Sequence, residues 1–381
     1  MEIKPATRKE VAERAGVSVA VVSYVVNDGP RPVAPETRNR VERAIEELGY
    51  YPNELARSLS RKQTAIIGLI IPSLVNPVYA EIADSLTHYC AAEGYRVILG
   101  SSGRDHQNEV EFAKSLRANQ VDGVVMIPSE SPEEILEPLQ QAHIPIVVLE
   151  HDLPDTHCVA INDVQGGQLA TEHLLSLGHR RIGMIKRKPT SAMSKLRYEA
   201  FRNTLQTAGV PFEPALVVES EAGQAAGYAA MQHLLALAEP PTAVFTHNDV
   251  LAMGAISAIY HAGLTVPHDI SIVGYDDTIQ ATYSNPPLTS VKIPIAEMGR
   301  VAGETILDLV KNDGLLSPQT ITLPVELIVR ASTAPLRRIA PNDQAIFSGT
   351  HTTMKSGVYG ATSMTSDLQT DVIPFVVRLK N

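Results

Sequence analysis

Residues 7–27, TRKEVAERAGVSVAVVSYVVN, read as two short helices joined by a tight turn. Thr7 and Glu10 stand three apart, the capping-box spacing at which a hydroxyl and a carboxylate satisfy each other's exposed backbone N–H groups. Val11, Ala12 and Ala15 follow at helical spacing, and Gly16 supplies the left-handed residue that ends such a helix. Ser18 is placed to cap a second helix whose apolar side is Val21, Val22, Val25 and Val26. A capped helix, a glycine turn and a second capped helix make a helix-turn-helix, whose second helix suits the DNA major groove. An ordinary helical hairpin buried in a larger core uses the same residues, so the hairpin alone leaves both readings open.

The surrounding sequence narrows the choice. GVSVAVVSYVVN (16–27), followed by ETRNRVERAIEELGYYPNELARSL (36–59), closely resembles the DNA-binding end of the LacI/GalR family of bacterial transcription regulators. The resemblance continues to about Arg338. It implies a homodimer or larger assembly that binds pseudo-palindromic double-stranded operator DNA, as a repressor more readily than an activator, under control of a small-molecule effector. In the recognition helix, Val19, Ala20 and Tyr24 are expected at base edges, with Thr7, Ser18, Ser23 and Asn27 placed for phosphate or base hydrogen bonds. Val19 and Ala20 cannot donate, so they would read shape and thymine methyl groups.

Composition bounds the rest. A chain of 381 residues suggests two or three domains, and 44% hydrophobic with 19% charged residues describes a globular protein with a sizeable core. No apolar run approaches the ~20 residues needed to span a bilayer, and no signal-peptide core is visible. With only Cys90 and Cys158, far apart, a reducing compartment is expected, and the resemblance implies that it is the bacterial cytoplasm, at the nucleoid. The net charge of −10 divides unevenly: residues 1–62 hold 11 Lys/Arg and 9 Asp/Glu, a surplus of +2, so the acidic charge lies in the remainder. A head so weakly basic must rely on where its arginines stand more than on bulk field.

After the hairpin, DGPRPV (28–33) is a turn that exposes Arg31, for which a phosphate contact and plain solvation are both open. Pro35 starts a third helix carrying Val41, Ala44, Ile45 and Leu48 at helical spacing, ended by Gly49. It is expected to close a three-helix head on the valines of the second helix, each burial contributing ~1.5–3 kcal/mol. Next, NELARSLS (53–60) matches the hinge helix of the resembled family, with Asn53, Ala56 and Leu59 at its DNA-facing positions and Leu59 as the minor-groove wedge. A helix this short does not persist alone in water, so its stability should depend on DNA and on the partner hinge. A plain linker is the alternative.

From Thr64 short apolar strands alternate with amphipathic helices: AIIGLII, YRVILGS, VDGVVMI and IPIVVLE, then RRIGMI, PALVVE, TAVFTH and ISIVGYDD. Buried parallel strands with helical crossovers mean an α/β body in two similar lobes. The resemblance adds a periplasmic-binding-protein-like arrangement in which the chain crosses between lobes near Asn162, Ser290 and Leu323. The expected division is a head at 1–50, a hinge at 51–63, one lobe at 64–161 plus about 291–322, the other at 162–290 plus about 323–338, and an atypical tail at 339–381. That tail is rich in Gly, Ser and Thr before closing on VIPFVVRLK, and its role is open.

Ligands in parallel α/β sheets bind beyond the carboxyl ends of the strands, so polar residues there are the effector candidates. After the first strand come Asn76, Pro77, Val78 and Tyr79, with Val78 where the family has an aromatic and Tyr79 left to stack on a sugar or base. Asp276 and Arg197 are the foremost candidates, then Asn248, then Tyr79, while Asp249 and Asp277 serve equally well as a helix cap and a turn residue. Alignment to the family also puts Ser191, Met193 and Ala222 at pocket-lining positions. Their small or apolar character offers no second aromatic face, which favours a sugar or sugar derivative over a purine-type effector. His151, His157 and Cys158 lack zinc-site spacing, and no catalytic or phosphate-cradling motif is present, so neither a metal, a cofactor nor an enzyme is expected. A sugar-binding protein without regulatory DNA binding is the remaining alternative, against which the first sixty residues argue.

Overall fold

The computed structural model describes residues 6–27, 31–51, 63–129, 132–188, 192–312 and 314–337. The head contains α1 (Arg8–Ala15), α2 (Val19–Asn27) and α3 (Pro35–Leu48). Thr7 and Glu10 form the capping box at the start of α1, and Gly16 ends it with φ 65°. Val11, Ala12, Ala15, Val22, Val25, Val41, Ala44 and Tyr50 make the head's core. Val21 and Val26 are only half-buried, and Leu48, expected on the packed side of α3, is 37% exposed. Tyr50, just past the end of α3, is buried instead and accepts a hydrogen bond from Arg8 Nε through its hydroxyl. The hinge positions Asn53, Ala56 and Leu59 lie outside the described residues, as does the tail from 339 onward.

The body contains two six-stranded sheets. The first is wholly parallel: β1 (Ile66–Ile71), β2 (Arg96–Ser101), β3 (Gly123–Met126), β4 (Ile146–Leu149), β5 (His157–Ile161) and β11 (Thr320–Leu323), in the order β11-β5-β4-β3-β1-β2. The second holds β6 (Ile182–Arg187), β7 (Val217–Ser220), β8 (Ala243–Thr246), β9 (Ser271–Asp276), β10 (Thr289–Lys292) and β12 (Glu326–Ile328), in the order β12-β10-β9-β8-β6-β7. Among the described residues only β12 runs antiparallel to its neighbour. The interior strands β3, β4, β8 and β9 are buried throughout, the pattern of sheets covered on both faces. Pro214–Leu216, expected as the start of a strand, forms a single 3-10 turn before β7 because its prolyl nitrogen has no N–H for a ladder.

Helices cover the sheets: α4 (Pro77–Ala92), α5 (His106–Ala118), α6 (Glu133–Gln140), α7 (Asp163–Ser176), α8 (Ala192–Thr207), α9 (Gln224–Leu235), α10 (Asp249–His261), α11 (Ile279–Tyr283) and α12 (Ile295–Lys311). Helix α4 packs on α12, α7 on α8, and α9 on α10. The last pair touches at Gly254, where an added Cβ would stand 1.9 Å from the Gln224 carbonyl oxygen.

Three segments join the sheets. The first passes Asn162, which caps α7; its backbone N–H donates to the Leu323 carbonyl at 3.1 Å, so the first and third crossings lie side by side. The second crossing follows β10, which keeps Ser290 in the second sheet through Lys292. It therefore falls three or four residues past Ser290, at Ile293 and Pro294, before α12 packs on the first sheet's helices. The third lies between β11 and β12 at Pro324 and Val325. Among the described residues no helix is long and apolar enough to cross a membrane.

Candidate DNA interface and ligand cleft

In the head, Ser18 Oγ accepts from the Val21 N–H at 3.4 Å, leaving Val19 and Ala20 exposed on the first turn of α2. Ser23 and Tyr24 are half-buried, and Arg31 is exposed. Asn27 is the last residue of α2, its side chain outside the described set. Thr7 is a structural cap first: its backbone N–H donates to Glu10 Oε2 at 2.7 Å, and its Oγ1 accepts from the Glu10 N–H at 3.4 Å. The exposed first turn of α2 carries no charge, so the head can offer shape and methyl groups there but no fork of donors.

In the body, the strand ends converge. Tyr79 sits on the first turn of α4, 5% exposed, with the Arg104 guanidinium 5.9 Å from its ring centre. Asn76 caps α4 by accepting from the Val78 N–H, and Val78 is buried beneath. Asn248 likewise caps α10 by accepting from the Leu251 N–H at 3.0 Å. Both asparagines therefore give one oxygen to a helix start and keep an amide group for other bonds. Ala222 lies in the bend before α9; Met193 lies on α8 with its side chain outside the described residues, as is Ser191 altogether.

Arg197 is bound more deeply than a simple ligand contact implies. It is 3% exposed; Nε donates to Asp163 Oδ1 at 2.6 Å, Nη1 donates to the His247 carbonyl at 2.7 Å, and the guanidinium lies 3.6 Å over the Tyr275 ring. Burial opposes its charge, but Asp163, Tyr275 and Asp276 outweigh that and hold it protonated. Asp276, 3.9 Å from Nη1, ends β9 at φ 105°, a conformation costly for a residue with a Cβ. Burial pushes its carboxyl pKa well up despite Arg197. A strained, buried carboxyl group edging an arginine at a strand end is a preorganised hydrogen-bonding group.

The two carboxylates with open alternatives have structural work. Asp249 is fully buried and caps nothing: Oδ2 accepts from the Thr278 N–H (2.7 Å) and hydroxyl (3.0 Å), and Oδ1 from the Ser290 hydroxyl (2.6 Å). Gly274 makes room for it, since a Cβ there would stand 2.4 Å from Oδ1. Asp277 pairs with Arg330 on the segment after β12.

Sequence reasoning missed Arg104, Glu150, Asp163, Arg187 and His247. All lie at or within three residues of the carboxyl end of a strand, so the same rule that found Asp276 reaches them. Glu150 follows β4 directly at φ 63°, and burial raises its pKa to about 7. Its Oε2 and the Nδ1 of His247 are buried without a hydrogen-bond partner. His151, His157 and Cys158 point elsewhere: His151 Nδ1 meets the Leu149 carbonyl, His157 Nε2 the Leu316 carbonyl, and the Cys158 thiol the Thr156 carbonyl.

The comparisons agree with this division into head and body. Residues 7–53 match the profile of bacterial regulatory proteins of the lacI family, and residues 171–333 that of the periplasmic binding protein-like domain. The chain is 37% identical over 336 residues to the HTH-type transcriptional regulator DegA of Bacillus subtilis, covering 86% of this chain and 98% of that one. It is 36% identical over 336 residues to the HTH-type transcriptional repressor PurR of Actinobacillus pleuropneumoniae, covering 87% and 100%. The crystal structure of the lac repressor dimer bound to operator and the anti-inducer ONPF superposes with a TM-score of 0.79 at 29% identity, covering 87% of this chain and 100% of that one. With such identity along nearly the whole of its relatives, the chain belongs to the lacI family of bacterial regulatory proteins, DNA-binding transcriptional regulators and not enzymes.

Proposed function

We propose that the protein is an operator-binding repressor whose DNA affinity is set by a hydroxylated small molecule, a sugar or sugar derivative, held between the two lobes. Two chains pair and offer two heads to a pseudo-palindromic operator. Val19, Ala20 and Tyr24 read base edges. Thr7, Ser18, Ser23 and Asn27 make phosphate or base hydrogen bonds, Arg31 contacts a phosphate, and Asn53, Ala56 and Leu59 are the hinge's DNA-facing residues, with Leu59 as the minor-groove wedge. The operator-bound neighbour supports the pairing.

In the cleft, Asp276 accepts from effector hydroxyls and Tyr79 supplies one stacking face. Arg197 fixes Asp276, while Asn76, Ser191, Met193, Ala222 and Asn248 line the remainder. The observation carrying the sugar reading is that, among the described residues, Tyr79 is the one aromatic face left to stack: Val78 is buried, and Arg197 already covers the Tyr275 ring at 3.6 Å. A flat purine gains most from a ring on each side, whereas a sugar gains most from charge-assisted bonds to its hydroxyls.

Closing the cleft alters the hinge segments, and a coupling of ~1–3 kcal/mol suffices to change operator occupancy several- to a hundredfold. A variant lacking residues 1–62, tested beside the full chain, is expected to lose operator binding while still gaining thermal stability from the effector. In the full chain, Leu59→Ala should weaken specific binding and leave non-specific binding nearly unchanged. If both affinities stay put, Leu59 is not the wedge. A thermal-shift panel of sugars and purine bases separates the effector classes.

A further inference from the structure

The chain from the head enters the body at the amino end of β1, and the last two residues before that strand are held by a side chain from elsewhere in the sheet. Asp122, the residue before β3, accepts from the Thr64 N–H at 2.8 Å through Oδ1 and from the Ala65 N–H at 2.7 Å through Oδ2. The Thr64 hydroxyl lies 3.0 Å from the same Oδ1 and 3.1 Å from the Gln120 carbonyl, so its single proton is shared between two acceptors. Backbone bonds close the clasp: the Arg96 N–H donates to the Ala65 carbonyl at 2.9 Å, and the Asp122 N–H to the Ile66 carbonyl at 2.8 Å.

Ala65 at φ 55° and Gln120 at φ 53° are both left-handed, a backbone that residues with a Cβ seldom adopt. Such a residue on each side of the clasp means that the path into β1 is imposed by these bonds and not by local preference. Because β1, β2 and β3 are parallel, their amino ends lie together, at the end of the sheet away from the cleft. The clasp ties the incoming chain to all three, so the first sheet carries that chain with it.

The wedge candidate Leu59 stands five residues before Thr64, no more than about 18 Å of chain. Letting go of Thr64 and Ala65 would lengthen each tether by up to ~7 Å. A change of one base pair between half-sites moves one of them by ~3.4 Å and turns it by ~35°, so the clasp governs roughly two base pairs of reach. Resting on the operator-binding reading, we propose that Asp122 is a positioning residue for operator recognition: by fixing where each tether leaves the body, it fixes the half-site separation that paired heads accept.

The test uses the full-length protein and the pseudo-palindromic DNA that wild type selects from a random duplex library. Versions of that DNA with the centre one or two base pairs longer or shorter run beside it at one salt concentration. Wild type is expected to bind the altered spacings about tenfold weaker or worse. Asp122→Ala should bind the selected spacing several-fold weaker and prefer it over the others by no more than about threefold, with affinity for unrelated DNA unchanged. Asp122→Asn keeps an oxygen for Thr64 but turns an amide N–H toward the Ala65 N–H. It should fall between, and it carries the test where the alanine variant does not fold. Asp269→Ala is the control for lost stability: Asp269 Oδ2 accepts from the Thr265 N–H and hydroxyl, both at 2.7 Å, on the segment before β9. It should melt lower and keep the wild-type spacing preference.

An Asp122 variant with the wild-type spacing preference overturns the proposal. So does an Asp269→Ala variant whose preference flattens equally, since general destabilisation then accounts for both. A wild type indifferent to spacing also overturns it and leaves operator binding standing. Selection of no DNA at all brings down the operator-binding reading and this one with it.

Discussion

Asp163 Oδ1 accepts from Arg197 Nε at 2.6 Å and from the Tyr275 hydroxyl at 3.1 Å, so one buried oxygen positions both the arginine and the ring beneath it. Lysine carries the same charge but cannot reach Asp163 and the His247 carbonyl together or stack flat on Tyr275. Arg197→Lys should therefore cost about 2 kcal/mol in urea unfolding, and Arg197→Met, which strands the Asp163 charge, about 3–5 kcal/mol. A wild-type midpoint for the lysine variant would show the fork to be dispensable. Glu150 gives a pH signature. Burial lifts its folded pKa from 4.5 to about 7 against the pull of Arg197, Arg187 and Arg104 and with the push of Asp163. An acid with a raised folded pKa favours the folded state fully below 4.5, and that contribution is lost as pH rises through about 7. Glu150→Gln should then melt a few degrees higher than wild type at pH 8 and about level with it at pH 4.5. An equal shift at both pH values would rule out titration of Glu150 as the cause.

At the scale of the element, the head is a set of three short helices whose ends matter as much as their faces. The Thr7–Glu10 box satisfies N–H groups that α1, only eight residues long, cannot satisfy itself. Thr7→Ala in the full chain should cost about 1 kcal/mol locally. Amide exchange at Glu10 and Val11 should then quicken about fivefold, with the sheet amides unaffected. Capping spacing and glycine stops were readable because each acts within one turn of chain. Leu48 was misjudged because its exposure depends on where α3 ends against Tyr50, a contact to a residue beyond the helical period. Pro214–Leu216 looked like a strand for a similar reason: apolar residues at a strand start and in a 3-10 turn have the same composition.

Across the whole molecule, side chains between distant segments hold the second sheet at the point where the chain leaves it. Asp249 binds Thr278 and Ser290, joining the start of α10 to the loop after β9 and to β10, the strand leading into the second crossing. Arg330 binds Asp277 and the Leu288 carbonyl, tying the segment after β12 to the same loop. Asp249→Ala leaves the Thr278 N–H and the Ser290 hydroxyl buried without an acceptor, each costing ~1–3 kcal/mol. We expect a loss of about 2–4 kcal/mol in urea unfolding, together with a changed effector response because the loop carrying Asp276 and Asp277 is loosened. Unchanged stability would mean that water takes over the carboxylate's role. The periodicities of 3.6 and 2, the caps and the strand-helix alternation determined from sequence alone that a three-helix head precedes a parallel α/β body, because those signals are local. The exit point of the second crossing, the burial of Asp249 and the meeting of Asp163, Arg197 and Tyr275 were decided only by tertiary structure. Those last three residues span 112 positions of the chain, and no local period records which strand ends and helices are brought together.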